Sequence, residues 1–332
     1  MTTRVFTGFK PTGQLQVGNY LGAIRPLLDL ASDPDNDVLV CVVDLHALTV
    51  EHGPAQLREL SLETAGTLVA CGLDPRAKLF VQSTVPAHTE LSYLLESTAT
   101  YGEMSRMVQF KEKAGGQDST RLSLLTYPAL MAADILAYQA EVVPVGDDQR
   151  QHLELTRDLA TRFNSRYGRT FTVPEGFIPP AAARVLDLQS PDKKMSKSLP
   201  PAGCINLLDD PKVNAKKVRS AVTDTGREVV ADPVAKPGVT NLLTIHSALS
   251  GQSIAALEER FAGRGYGDLK KEVAEVVTDA LAPIQQRTAE LLGDPAELQR
   301  ILATGAARAR EVAAPTLATV YDRVGFLPPA AP

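Results

Sequence analysis

The six residues KKMSKS (Lys193–Ser198) gather three lysines and two serines around one methionine, shortly after Pro191-Asp192. Ammonium groups on long stems suit a mobile loop that closes over a polyphosphate and stabilises its charge. Taken alone, the same residues are also a solvated basic turn. A second candidate is GFKPTGQLQVGNYLGA (Gly8–Ala23), where Gly18 and Gly22 let a ligand or a neighbouring backbone approach a helix start. Free N–H donors and the positive helix dipole favour phosphate there. The stretch is neither GxGxxG nor GxxxxGK[ST], so dinucleotide and P-loop sites are disfavoured. A plain strand–turn–helix corner is the alternative. Third, Tyr127, Met131 and Asp134 fall at i, i+4 and i+7 and share one helix face. They would form an apolar slot ending in a carboxylate, whose burial needs a donor such as an indole N–H. Otherwise this is an ordinary helix face, with Asp134 exposed or paired to an arginine. Fourth, GDDQ (Gly146–Gln149) could meet ribose hydroxyls, although an N-cap aspartate is common at such a place.

The elements that must position these groups alternate. RVFTGF (Arg4–Phe9) and DVLVCVVDLH (Asp37–His46) are strand-like, the second an apolar run of the kind a strand buried on both faces requires. KLFVQS (Lys78–Ser83) is a third strand, and EVVPVGDD (Glu141–Asp148) returns to the sheet. ARVLDL (Ala183–Leu188) reads as the last strand, feeding KKMSKS. Between them lie helical patterns near Gly18–Ala31, Pro54–Cys71, from Pro86, Met104–Lys113 and Leu124–Gln139, then an amphipathic helix after GDDQ. The alternation implies an α/β fold with a Rossmann-like parallel sheet, right-handed in its connections. After Leu208 the strands stop. Helical periodicity near Ser253–Phe261, Asp268–Leu292 and Ala296–Val324 implies an all-helical C-terminal domain. The expected division is 1–206 for the nucleotide-binding catalytic domain, with a helical insertion near 101–140, and 207–332 for the helical one.

Composition narrows the classes. The chain has 332 residues, 44% apolar and 22% charged, and its net charge of −5 does not advertise a nucleic-acid coat, so DNA is not an expected partner. No apolar run reaches the ~18 residues of a membrane span. The N-terminus lacks a signal-peptide core, which makes a cytoplasmic protein the expectation. Three cysteines without a CxxC point to reduced thiols and no metal site.

PTGQLQVGNYLGA resembles the first signature of class I aminoacyl-tRNA synthetases in its tryptophanyl and tyrosyl variant, and KMSKS the second, in the expected order. LLTYPALMAADILAYQAEVVPVGDDQRQHLELTRDLATRFN is similar to bacterial tryptophanyl-tRNA synthetases throughout, and VVDLHALTV, VQSTVPAH, MVQFKEK and SAVTDTG agree. The match runs from about Val5 to Gly251 and more loosely beyond.

The resemblance implies a tryptophan–tRNA ligase of class I fold, with ATP as substrate, Mg2+ carried on its phosphates, L-tryptophan and tRNA(Trp) as partners, a homodimer, and anticodon binding by the C-terminal domain. Lys194, Ser196 and Lys197 would contact pyrophosphate, with Lys10 near the reacting centre and Lys113, or Lys111, reaching the same phosphates. Their KEK setting is equally a solvated helix face. ATP would also meet Pro11, Thr12, Gly18, Asn19, Gly22, Gly146, Asp147, Asp148, Met195 and Ser198, and adenine would lie on Val185. Asp134 would accept the indole N–H in a slot made by Tyr127, Met131, Phe6, Val143 and Val145, with Gln149 and His46 at its mouth. His52, His88, His152 and His246 are expected to be structural. No editing domain is expected, since a hydrogen-bonded aromatic slot discriminates strongly.

Two residues depart from the family pattern. Gln16 replaces its usual threonine, which puts a phosphate contact there in doubt. Lys10 replaces glutamine and adds charge near the reacting centre, as an isoform with altered tolerance of tryptophan-analogue inhibitors would. The competing readings are a tyrosine-specific ligase, a synthetase-like binding protein that charges no tRNA, and another nucleotidyltransferase on the same fold.

Overall fold

The computed structural model describes residues 2–74, 77–114, 120–146, 149–177, 184–196 and 199–327, without the side chains of Lys113 and Ala114. Strand β1 (Thr3–Phe9) leads into a helix of three continuous pieces: α1 (Val17–Asn19), a π-helical turn (Tyr20–Ile24) and α2 (Arg25–Ser32). Pro26 lies in the first turn of α2 and has no N–H to donate to the carbonyl four residues back, so the α-helical ladder is interrupted where the π-turn ends. β2 (Asn36–Val42), α3 (Asp44–Ala47), α4 (Pro54–Ala70), β3 (Lys78–Val81) and α5 (Ala87–Glu96) follow. Next come α6 (Tyr101–Ser105), opened by a Thr100–Glu103 capping box, α7 (Val108–Ala114) and α8 (Leu122–Leu136). β4 (Val142–Pro144), α9 (Arg150–Tyr167) and β5 (Glu175–Phe177) complete the sheet region.

The sheet is parallel, in the order β3-β2-β1-β4-β5. Building outward from β1 to β3 and then starting again on the other side creates a switch point between β1 and β4. Crevices at the carboxyl ends of such strands are where α/β sheets take ligands. The alternation of β2 divides the core. Val38, Val40 and Val42 join one apolar cluster with Ile24, Leu27 and Leu68, while Leu39, Cys41 and Val43 join another with α5, α8 and α9. Ala129, Ala132 and Ala133, all fully buried, let α8 lie close to α5.

The expected last strand at Ala183–Leu188 is corrected. Among the described residues, Leu186 makes only an isolated antiparallel bridge to Lys194. Its backbone N–H and carbonyl are taken by the Asn241 carboxamide, so they cannot join a sheet neighbour. The fifth strand is instead Glu175–Phe177, paired to β4.

Helices α10 (Pro211–Arg219), α11 (Pro237–Ser250), α12 (Ile254–Arg260), α13 (Tyr266–Gly293) and α14 (Pro295–Val324) form the remainder, and no strand is found there among the described residues. They share both apolar clusters with the sheet, through Val273 and Leu281 on one side and Ala309, Ala313 and Val320 on the other. α14 runs across β3, and a Cβ at Gly305 would sit 1.8 Å from the Leu79 carbonyl oxygen, so only glycine allows the approach that covers this edge strand. Among the described residues no helix is long and apolar enough to cross a membrane.

Candidate active site

At the switch point, β1 contributes Phe6, Thr7 and Gly8, β4 and the residue after it Val143, Pro144 and Val145, and α8 Tyr127, Met131, Asp134 and Ile135. Together with Lys10, Val43, His46, Thr49, Gln109, Leu124 and Gln149 they enclose a cavity of about 320 Å³. Apolar walls with a few convergent polar groups are what a small-molecule site needs. Phe6, His46, Tyr127, Met131, Asp134, Val143, Val145 and Gln149, the side chains proposed from the sequence for an aromatic slot, all line it.

Asp134 is 2% exposed and lies in a dense set of donors. His46 Nε2 is 2.8 Å from Oδ2, and Gln82 Nε2 and His88 Nδ1 are each 2.6 Å from Oδ1. Neither surface exposure nor an arginine partner describes it. The Gln82 amide orientation follows from its other end, where Oε1 accepts from Leu45 N at 3.1 Å, leaving the NH2 for the carboxylate. The Tyr138 hydroxyl lies 2.7 Å from His88 Nε2, and burial keeps that phenol protonated by pushing its pKa up. The His88 ring is thus bracketed by Tyr138 at Nε2 and by Asp134 at Nδ1. Burial alone would raise the Asp134 pKa, but the hydrogen bonds and charge of His46 and His88 outweigh it and hold the carboxyl below the usual value. The result is an ionised carboxylate with one of about four acceptor positions still open, on the cavity wall.

His46 also meets Tyr127 edge to face, ring centroids 6.2 Å apart, and the Tyr127 hydroxyl is hydrogen-bonded to His152. Lys10 Nζ donates to Thr49 Oγ1 at 2.8 Å on the same wall.

The two signature segments form a second cluster. Gln16 caps α1, its Oε1 accepting from Gly18 N at 2.5 Å while Asn19 Oδ1 accepts from Gln16 N at 3.1 Å. Its Nε2 donates to the Met195 carbonyl at 3.0 Å. Met195 is buried, its N–H bonded to the Val185 carbonyl at 3.0 Å, whereas Lys194 is exposed. Val185 is itself buried in the core. Asp187 braces the turn by accepting from Gln189 N and Ser190 N, and a Cβ on Gly203 would fall 2.0 Å from its carboxylate.

Of the residues proposed for ATP, Lys10 lines the cavity, while Gly18, Asn19, Gly22, Val185, Lys194, Met195 and Ser196 belong to this signature cluster or its helix. Pro11 is buried, Thr12 exposed, and Gly146 accepts from Gln149 N at the start of α9. Asp147, Asp148, Lys197, Ser198 and the side chain of Lys113 lie outside the described residues. Lys111 is exposed on α7.

Sequence reading missed Gln82, and it classed His88 as merely structural. VQSTVPAH carries both at the end of β3 and the start of α5, but only the fold aims them at Asp134. Thr49 and Gln109 were missed as well.

The family described as tRNA synthetases class I (W and Y) matches residues 1–282. A tryptophan–tRNA ligase from Mycobacterium leprae is 53% identical over 98% of this chain and 97% of its own. Tryptophanyl-tRNA synthetase from Mycoplasma pneumoniae superposes with a TM-score of 0.90 at 37% identity, covering 98% of this chain and 99% of its own. The Campylobacter jejuni enzyme, solved with ADP and tryptophan, gives 0.85 at 32% identity over 98% and 100%.

Proposed function

The chain belongs to the class I tRNA synthetases of the tryptophan and tyrosine family, and on that basis we propose that it is an ATP-dependent tryptophan–tRNA ligase. The tryptophan carboxylate attacks the α-phosphorus of ATP, giving tryptophanyl-adenylate and pyrophosphate. A ribose hydroxyl of tRNA(Trp) then attacks the acyl carbon and AMP leaves. The carboxylate is already nucleophilic, so the protein's work is alignment and charge stabilisation.

The observation that carries this reading is the ionised, braced carboxylate of Asp134 at the wall of an apolar cavity. An acceptor-only group with an open position takes an aromatic ring that presents a donor, here the indole N–H of the tryptophan that its relatives are named for, and leaves a ligand without a donor facing an unsatisfied buried charge. Phe6, Met131, Val143 and Val145 bury the indole, His46 braces Asp134 beside it rather than standing at the mouth, and Gln149 stands near the amino-acid end. On the phosphate side, Lys194, Ser196 and Lys197 take the pyrophosphate oxygens, with Lys113 or Lys111 as further cations, while Lys10 stands near the reacting centre. Gly18, Asn19 and Gly22 admit the nucleotide to the helix start, Val185 receives adenine, and Gly146, Asp147 and Asp148 the ribose. Mg2+ enters as part of the ATP substrate.

The helical region 207–332 would bind the tRNA anticodon. Tyr93, Tyr101 and Leu122, 69%, 75% and 71% exposed on α5, α6 and α8, support a homodimer in which a second copy covers them. Light scattering should then give twice the 35.6 kDa chain mass.

The chain contains no tryptophan, so tryptophan emission in a titration belongs to the ligand. L-Tryptophan should bind and support ATP–pyrophosphate exchange. Exchange with tyrosine and not with tryptophan would overturn the proposal, and activation without acylation of tRNA would leave the binding-protein reading in its place.

A further inference from the structure

We infer that Gln16 is a positioning residue that closes the base of the second signature loop. The usual helix N-cap side chains are Ser, Thr, Asp and Asn. Gln16 does their work through Oε1, yet it is longer and bears a donor as well. The extra length is used: Nε2 reaches the Met195 carbonyl, and the side chain is 4% exposed. Serine or threonine could cap α1, but the hydroxyl stands one bond from Cβ and could not span to Met195. Aspartate offers no donor.

The neighbouring backbone shows why the bond matters. Val17 N donates to Ile205 O at 2.9 Å, and Leu207 N donates to Leu15 O at 2.9 Å. The chain from Met195 to Ile205 is therefore tied at both ends to the Leu15–Val17 turn, at one end by main chain and at the other by a single carboxamide. On the far side, Met195 N is held by Val185 O and Lys194 is bridged to Leu186. Breaking the Gln16–Met195 bond parts this end of the loop from the helix start, while Val185 and Leu186 still hold it on the far side and the other end stays seated. Lys194 and Ser196 flank Met195 directly, so their distance from the helix start follows from this bond. The inference rests on the proposed function for its kinetic arm only.

Gln16→Glu separates the roles. It keeps an acceptor for Gly18 N and replaces the donor by a second oxygen that repels the Met195 carbonyl; Gln16→Ala removes both. Hydrogen exchange of peptides covering 192–204 in Gln16→Glu should accelerate about tenfold, as loss of one hydrogen bond allows, with 54–70 unchanged. In pyrophosphate exchange the kcat/KM for ATP should fall about tenfold, while the Kd for tryptophan stays within about twofold of wild type; the carboxylate buried against a carbonyl lowers the Tm. Gln16→Ala should reproduce the kinetic loss without the buried charge. Wild-type exchange at 192–204 in Gln16→Glu overturns the inference, as does a parallel loss of tryptophan affinity. An inactive wild-type enzyme would sink the proposed function, and hydrogen exchange alone would still decide the clasp.

Discussion

The proposed tryptophan end and the proposed phosphate end of the site are held in opposite ways. At the first, side chains bond to side chains in the dry interior: Asp134, Gln82 and His88 are each 2% exposed or less, and Tyr138 backs them. At the second, the ties run mostly to main chain, from Gln16 to Met195, from Asn241 to Leu186 and from Met195 to Val185, and the lysine beside them stays exposed. Discrimination between aromatic rings needs fixed polar atoms in low dielectric, where an unmade hydrogen bond is costly. Handling of a leaving pyrophosphate needs cations that stay hydrated until substrate arrives, so there only the backbone register is secured.

The sharpest way to break the comparison is Asp134→Asn. It removes the ionised acceptor and aims an amide N–H at donors, so kcat/KM for tryptophan should fall about 10²–10³-fold, with KM for ATP nearly constant. A loss spread equally over both substrates would mean the ends are not separate. The same carboxylate makes a pH prediction. Its pKa lies below the usual value, so protonation should not weaken tryptophan binding until the pH drops below ~4; fluorescence titrations across pH would reveal an earlier loss. His88→Phe keeps an aromatic ring, somewhat larger, but deletes the link between Tyr138 and Asp134. A decrease of roughly 10–100-fold in kcat/KM for tryptophan is expected, and an unchanged value would make His88 a packing residue.

Glu103 tests the scaffold apart from either end. Its carboxylate receives a two-pronged Arg162 guanidinium, which holds its pKa at about 2 against an ordinary 4.5. A depressed folded value stabilises fully above the unfolded pKa and is lost as pH falls toward about 2. The group is partly exposed, so solvent screening reduces the contribution to ~1 kcal/mol. Glu103→Gln should lower the Tm by about 1–2 °C at neutral pH, with the deficit shrinking below pH 4.5 and with exchange activity intact. The smallest effect is expected at Lys10→Gln, where inhibition constants for a tryptophan analogue should shift about threefold as the charge beside Thr49 is removed. Equal constants would end the isoform proposal.

Much of this was legible in the residues themselves. The apolar run of β2, the helix-opening proline at α4 and the i, i+4, i+7 face of α8 all gave elements close to those observed. Local pattern failed at both edges of the last βα unit. Glu175–Phe177 is short and exposed for a strand, so it carries no apolar alternation. Ala183–Leu188 is apolar enough for a strand, yet the backbone hydrogen bonds of Leu186 go to Asn241 and its bridge to the turn it feeds.

Sequence alone determined most of the strand–helix order as far as α9, the two signature segments and the shared face of Tyr127, Met131 and Asp134 on α8, because these depend on period and spacing along one stretch of chain. Only the tertiary structure decided what satisfies the polar groups inside. His88 and Asp134 are 46 residues apart, and Gln16 and Met195 are 179 apart. A buried donor or acceptor must find a partner wherever the chain brings one within hydrogen-bond reach, and no local pattern records which residue that will be.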